Sequence, residues 1–254
     1  MSRKVAIFGS GLSAAYVYAA CLDNGIEADF FTDNRKPEFF GPVKLSWIPE
    51  RVKVLKYPVW LFSLGEKKDY LARMDRTSGS TTFPSSGRIE TAAYNPVEVL
   101  EQLQPLGCKI TLGKFSDSEI EKLSQQYDYT FVTFPLQQSK REDKLVPYWL
   151  WLLKNQTVSL PNMVIYNGTT VFPWTRYSYY WGVHMWEYCH LTLEQPLCPA
   201  IGAEVRRIAD IAPGVKEYTS PFPKMALVGR WARWNKEVLA QDAYAQANKI
   251  LKEI

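Results

Sequence analysis

The residues best suited to chemistry lie in a glycine-rich turn near the start of the chain, where Gly9 and Gly11 follow the apolar run Val5–Phe8. A helix pattern of small residues comes next, and this order of strand, turn and helix is typical of a dinucleotide-binding βαβ unit. Gly9 allows a tight turn and Gly11 a close approach to pyrophosphate, while Ala14 takes the third-glycine position. With Ser13 in the first helical turn, unpaired N–H groups face the phosphates. A purely structural turn is the alternative.

A second set of candidate ligands follows the predicted strand 28–32. In this class of site an acidic residue about 20 residues after the glycines binds a ribose hydroxyl. Asp33 closes the strand at about this distance, directly after Thr32. We therefore assign Thr32 and Asp33 to the ribose end of the nucleotide.

The catalytic candidates are Arg176, Arg230 and His184. Arg176 lies among aromatic residues, where a guanidinium can bind a carboxylate or phosphate through two hydrogen bonds. A surface arginine on an aromatic strand is the alternative. His184 is one of two histidines, and a pocket residue is the alternative to a catalytic base. The His184, Cys189 and His190 group matches no known ligand spacing, so no metal is expected.

Composition limits the class of protein. Apolar residues make up 46% and charged residues 22% of 254 residues, which favours a globular fold with a sizeable core. The net charge of +4 favours an anionic partner. The four cysteines form no C-x-x-C pair, no apolar run is long enough to span a membrane, and no signal peptide precedes Val5. These features predict a cytoplasmic protein.

The strand and helix patterns predict an α/β fold with two lobes. Strands alternate with helices near both ends, which is typical of a Rossmann-like domain with a parallel sheet. Short strands over 164–166, 169–172, 177–181 and 184–188 predict a reduced, mostly antiparallel substrate-binding lobe, with a helix over 203–211. The predicted nucleotide-binding lobe comprises 1–50, 88–140 and 220–254, and the substrate-binding lobe comprises 51–87 and 141–219.

The two ends together resemble the FAD-dependent oxidoreductase superfamily with the glutathione-reductase-like fold, in its amine oxidase and UDP-galactopyranose mutase branch. The segment 108–134 resembles the FAD-domain strands, and 173–176 resembles an aromatic-Thr-Arg stretch of the mutases. The family has Glu where Thr32 stands, and its members are longer, so the substrate lobe here is reduced. The matching residues are Gly9, Gly11, Ala14 and Gly25 at the front, and Gly229 to Trp234 followed by the helix 242–247 at the back.

This resemblance implies FAD as the cofactor, with Gly229 and Arg230 beside the flavin. It implies oxidation of an amine or amino-acid group with cleavage of a C–N bond. A further resemblance, to phage-type FAD-dependent lyases, implies a glycinyl-type adduct on a DNA base as substrate. The alternatives are a flavin-dependent sugar-nucleotide mutase and a non-catalytic FAD- or NAD-binding module. The expected partners are an anionic or amino-acid-bearing substrate, including DNA, with no membrane; the chain is a monomer or a homodimer.

Overall fold

The computed structural model contains two β-sheets with helices packed on them. It describes residues 3–33, 45–74, 83–85, 87–103, 108–136, 145–154, 160–189, 196–211, 217–233 and 239–254.

The first sheet has five parallel strands. Its central strand is apolar and completely buried from Val5 to Phe8, as expected for a parallel sheet covered on both faces. In spatial order the strands are β12 (Met225–Leu227), β6 (Tyr129–Val132), β1 (Lys4–Phe8), β2 (Glu27–Thr32) and β5 (Ile110–Leu112).

Helices cover both faces of this sheet. Val5 and Ile7 point into a core shared with α1 (Leu12–Asp23), α3 (Pro96–Gln102) and α6 (Ala240–Glu253). Ala6 and Phe8 point to the opposite side, where α4 (Asp117–Ser124) and α5 (Arg230–Arg233) contribute to a second core. The alternation of side chains along β1 therefore places one layer of helices on each face.

The second sheet has seven strands and is antiparallel except for the parallel pair β3·β8. Helix α2 (Lys67–Arg73) packs on one face, where the Tyr70 ring lies 5.2 Å from the Tyr166 ring. In spatial order the strands are β11 (Glu204–Ile211), β7 (Leu145–Lys154), β10 (Val183–Cys189), β9 (Arg176–Tyr180), β8 (Met163–Asn167), β3 (Lys56–Leu64) and β4 (Arg88–Tyr94).

The two-sheet α/β fold is confirmed, and two local predictions are wrong. Residues 203–211 were expected to be helical, but they form the strand β11 because eight consecutive residues pair with β7. Residues 169–172 form a bent loop instead of a strand. The strand β4 falls in the range predicted for the nucleotide-binding lobe yet pairs with β3 in the mixed sheet. The assignment of segments to lobes otherwise stays a prediction.

The segment 45–54 connects the two sheets. Leu45 forms a β-bridge with Tyr94, and the backbone oxygen of Trp47 accepts a hydrogen bond of 2.8 Å from the Tyr16 hydroxyl on α1. Arg51 pairs with Asp23 at the end of α1, at 2.6 Å. These contacts fix the mixed sheet to the helix that follows the glycine turn.

Candidate functional site

Gly9 lies where the strands β1, β2 and β6 end. Its φ of +117° belongs to a region that favours glycine. A Cβ at this position would lie 2.1 Å from Thr133 Oγ1. That hydroxyl donates a 2.9 Å hydrogen bond to the Phe8 carbonyl, and Gly9 N–H donates a 2.9 Å bond to Phe31 O. Gly9 is thus required both by its backbone conformation and by the close approach of Thr133.

Gly11 differs from Gly9, because a Cβ there would meet no atom of the described residues within 4 Å. It is the exposed N-cap of α1 in an extended conformation, and no side chain in the described part of the chain caps the helix. The first N–H groups of a helix have no acceptor within the helix. The turn therefore presents open space in front of the positive end of α1.

Ser13 and Ala14 occupy the first turn of α1. Ala14 is completely buried in the core between α1 and the parallel sheet. A small residue at this position allows the helix to pack closely on the strand. Ser13 is half-buried and faces the C-terminal part of the chain.

Gly229 brings the C-terminal part of the chain against this turn. Its φ is +86°, and a Cβ there would lie 2.3 Å from Ser13 Oγ. The backbone is held in place because Val228 N–H donates to Val132 O at 2.9 Å. Arg230, which is half-buried, begins α5 immediately afterwards. The structure therefore brings Ser13, Gly229 and Arg230 together.

Thr32 and Asp33 end the strand β2, next to the strand that leads into the turn. Thr32 is buried, and its carbonyl accepts a 2.9 Å hydrogen bond from Gly113 N–H. Asp33 is exposed. Of the two predicted ribose ligands, Asp33 is the one whose side chain reaches solvent at this edge of the sheet.

Arg176 lies in the mixed sheet. Its Nε donates a 2.6 Å hydrogen bond to Glu187 Oε1, directly across the β9–β10 ladder. Glu187 is buried to 1% exposure. Because a buried carboxylate needs a cation, Arg176 has a structural partner that sequence reasoning missed. The predicted hairpin contained the signal, since opposite charges at paired positions attract.

His184 lies on the other face of the same ladder. Its Nδ1 is 2.8 Å from the Tyr177 hydroxyl. Burial lowers the pKa of His184 and raises that of Tyr177. At neutral pH both groups are therefore neutral, and the phenol and Nδ1 share one hydrogen bond whose donor is set by the tautomer of His184. His190 lies outside the described residues.

The described part of the chain lacks membrane-spanning helices and metal-binding clusters. None of its helices is long and apolar enough to cross a bilayer. None of its groups of three or more His, Cys, Asp or Glu side chains is placed to hold a metal ion.

Similar folds occur among solved structures, although no protein-family model and no curated protein matches the sequence. The match with the peptidyl tryptophan dihydroxylase QhpG covers 99% of this chain and 67% of that protein's chain, with 10% identity and a TM-score of 0.56. The match with the flavin-dependent brominase Bmp2 covers 100% of this chain and 79% of that protein's chain, with 10% identity and a TM-score of 0.55. The match with CtdE in complex with FAD covers 100% of this chain and 85% of that protein's chain, with 11% identity and a TM-score of 0.52.

The chain therefore has the α/β fold that these proteins share. Within that fold, its parallel sheet carries the glycine turn and its mixed sheet carries Arg176 and His184. The amine oxidase and mutase branch, and the likeness to phage lyases, stay predictions.

Proposed function

We propose that the chain is an FAD-dependent enzyme that binds the ADP part of FAD at the Gly9 turn. The observation that carries this proposal is the contrast between the two glycines. Thr133 occupies the space that a side chain at Gly9 would need, whereas the space beside Gly11 is open. A cradle of this kind, at an uncapped helix start, fits a pyrophosphate. FAD is favoured over NAD because Gly229 packs on Ser13, in a fold that CtdE shares in complex with FAD.

The residues of this chain would then have separate roles. The N–H groups at the start of α1 would bind the pyrophosphate, and the exposed Asp33 carboxylate would accept a hydrogen bond from the ribose. Arg230 would place a positive charge near the ring system and stabilise negative charge there. When bound, FAD supplies the acceptor for a hydride.

The cofactor is tested by an absorption spectrum of the purified protein. Bands at about 370 and 450 nm are expected from bound flavin. If the protein is colourless and does not bind added FAD in equilibrium dialysis, the proposal fails.

For the reaction, we propose oxidation of an amine or amino-acid group, with a glycinyl-type adduct on a nucleic-acid base as substrate. A hydride leaves the carbon next to nitrogen, the resulting imine takes up water, and the C–N bond breaks to release glyoxylate. The basic charge of the chain supports an anionic substrate. With Nδ1 as the acceptor, Tyr177 would hold the neutral His184 ring with Nε2–H available to a substrate oxygen.

Oxygen insertion is the second candidate, because the similar folds include a brominase and a tryptophan dihydroxylase. Anaerobic mixing separates the two. A glycinyl-modified nucleoside should bleach the flavin without oxygen if the amine is oxidised directly. Bleaching only by NADH or NADPH, with product formed only after oxygen is admitted, would support oxygen insertion. Activity seen only after dithionite reduction, without net oxidation, would support a mutase.

A further inference from the structure

Six rings form a continuous row that runs from the surface into the mixed sheet. We call Phe172, Trp174, Tyr177, Trp186, His184 and Tyr179 the aromatic row. Ring centroids are 5.2 Å apart for the first pair, 6.3 Å for the second, 5.3 Å for the third, 5.9 Å for the fourth and 4.7 Å for the last. The outermost ring, Phe172, is 43% exposed, whereas the innermost, Tyr179, is 3% exposed. The four rings between them are half-buried.

The outer end of the aromatic row lies on a loop that hydrogen bonds from Asn167 and Arg73 hold in place. Asn167 is completely buried, and its amide nitrogen donates to Phe172 O at 3.1 Å and to Trp174 O at 2.7 Å. Its amide oxygen accepts from the backbone and hydroxyl of Thr169, at 2.9 and 2.7 Å. Arg73, from α2, donates to the carbonyls of Phe172 and Pro173, both at 3.0 Å.

This loop holds apolar side chains in water. Val171 is 76% exposed and Phe172 is 43% exposed, although Asn167 and Arg73 leave the backbone little freedom to turn them inward. The rings of Phe172 and Trp174 are nearly parallel, at 17°. A rigid, stacked and exposed pair of rings is prepared for a ligand, because its side chains need not be ordered again on binding.

The two faces of the mixed sheet have different neighbours. Arg176 and Glu187 lie on the face that α2 covers, whereas Tyr177 and Trp186 lie on the opposite face because side chains alternate along a strand. None of the six side chains of the aromatic row carries a full charge at neutral pH, because burial lowers the pKa of His184. The row therefore offers ring faces, not charges, to a ligand.

We propose that the aromatic row is the binding subsite for a flat aromatic ring of the substrate, which stacks first on Phe172 and Trp174. That this ring belongs to the substrate rests on the function proposed above; the subsite itself rests on the geometry of the row. The favoured ring is a nucleobase, because the net charge of +4 attracts the phosphates that accompany it, and electron-rich Trp and Tyr rings stack on bases. An indole has a similar ring face and is tested as the competing source.

The subsite is tested by isothermal titration calorimetry of the full chain with FAD added in excess, which fills an FAD site if the protein has one and keeps the probes out of it. The probes are adenosine, N-acetyltryptophanamide and a 12-nucleotide single-stranded DNA. Trp174→Leu should weaken binding of the favoured probe at least about fivefold, while Trp174→Phe, which keeps a ring, should retain most of it. Val171→Ala is the matched control, since it removes an exposed apolar side chain of the same loop that is not a ring.

The outcomes separate the two proposals. Binding of adenosine or of the DNA that depends on the ring at position 174 supports the subsite, whereas ring-dependent binding of N-acetyltryptophanamide alone overturns its assignment to a nucleobase. Absence of binding for all three, or equal losses in Val171→Ala and Trp174→Leu, overturns it. FAD binding is measured on the same protein from the flavin spectrum after free FAD has been removed. A yellow protein without ring-dependent binding refutes only the subsite, whereas ring-dependent binding by a protein that takes up no FAD refutes only the flavoenzyme.

Discussion

Replacement of Gly11 by alanine should weaken cofactor binding while leaving the fold intact. Among the residues that the structure describes, none has an atom within 4 Å of the added methyl, and the φ of −76° suits any residue. Alanine is a poorer N-cap than glycine by several tenths of a kcal/mol, but it reduces the entropy of the unfolded chain by a similar amount. The free energy of unfolding should therefore change by less than about 1 kcal/mol.

The methyl of Gly11→Ala would instead occupy the space in which a pyrophosphate must approach the backbone. We expect FAD affinity to fall at least tenfold, or about 1.4 kcal/mol. The dissociation constant is measured by equilibrium dialysis with FAD, and stability by urea unfolding of the protein without FAD.

Gly9→Ala is the matched comparison, because this substitution should lower the free energy of unfolding. Adopting the φ of +117° costs about 1–3 kcal/mol. The clash with Thr133 also breaks the Thr133–Phe8 hydrogen bond, worth about 0.5–1.5 kcal/mol. The loss should therefore be about 2–4 kcal/mol, and Thr133→Ala should relieve part of it because the clashing atom is Oγ1.

Two results would refute this reasoning. One is a Gly11→Ala protein that binds FAD as tightly as the unaltered chain, because the open space would then not be the phosphate cradle. The other is a Gly9→Ala protein of unchanged stability, because the clash with Thr133 would then not exist.

Three further predictions concern the rest of the chain. Deleting residues 240–254 should lower both stability and FAD affinity, measured by thermal unfolding and dialysis, because α6 packs on α1 and Tyr244 bonds to Asp23 at 2.7 Å; unchanged affinity would contradict this. Arg176→Met should cost about 3 kcal/mol in urea unfolding, because it strands a buried carboxylate, and adding Glu187→Leu should restore much of it; a purely kinetic effect would instead indicate a substrate clamp. Because the folded pKa of His184 lies below the ordinary value of about 6.5, the unfolded chain binds more protons below that pH, and the free energy of unfolding falls as the pH drops through it. His184→Gln should flatten that decline, and equal pH profiles would disprove the assignment.

The part of the fold that could be predicted from sequence is the part determined locally. The apolar strand β1, the glycine turn and the start of α1 are consecutive, so their pattern is visible in 20 residues. The sequence pattern of β11 favours a helix, because its apolar residues recur every three positions. Pairing with β7, more than 50 residues earlier, decides its conformation. Long-range pairing of this kind overrides local propensity.

The residues of the candidate site likewise differ in whether the sequence alone could predict them. The glycines could be found from their spacing, but Thr133 could not, because it lies more than 120 residues from Gly9 and has no motif of its own. Asn167 also gave no signal, since its role depends on carbonyls of a loop that only the fold brings over it. Glu187 was within reach, because counting back from the β9–β10 turn pairs it with Arg176.

The central position of β1 has a consequence for biosynthesis. The strand pairs on one side with β2, but its other neighbour, β6, comes about 120 residues later along the chain. At about 5–20 residues per second, a ribosome needs roughly 6–24 s to reach it. During that interval one edge of a strand that is apolar from Val5 to Phe8 has no native partner, and the segment containing Gly229 arrives later still. The nascent chain should therefore depend on chaperones more than its size suggests, and slower translation should lengthen that dependence.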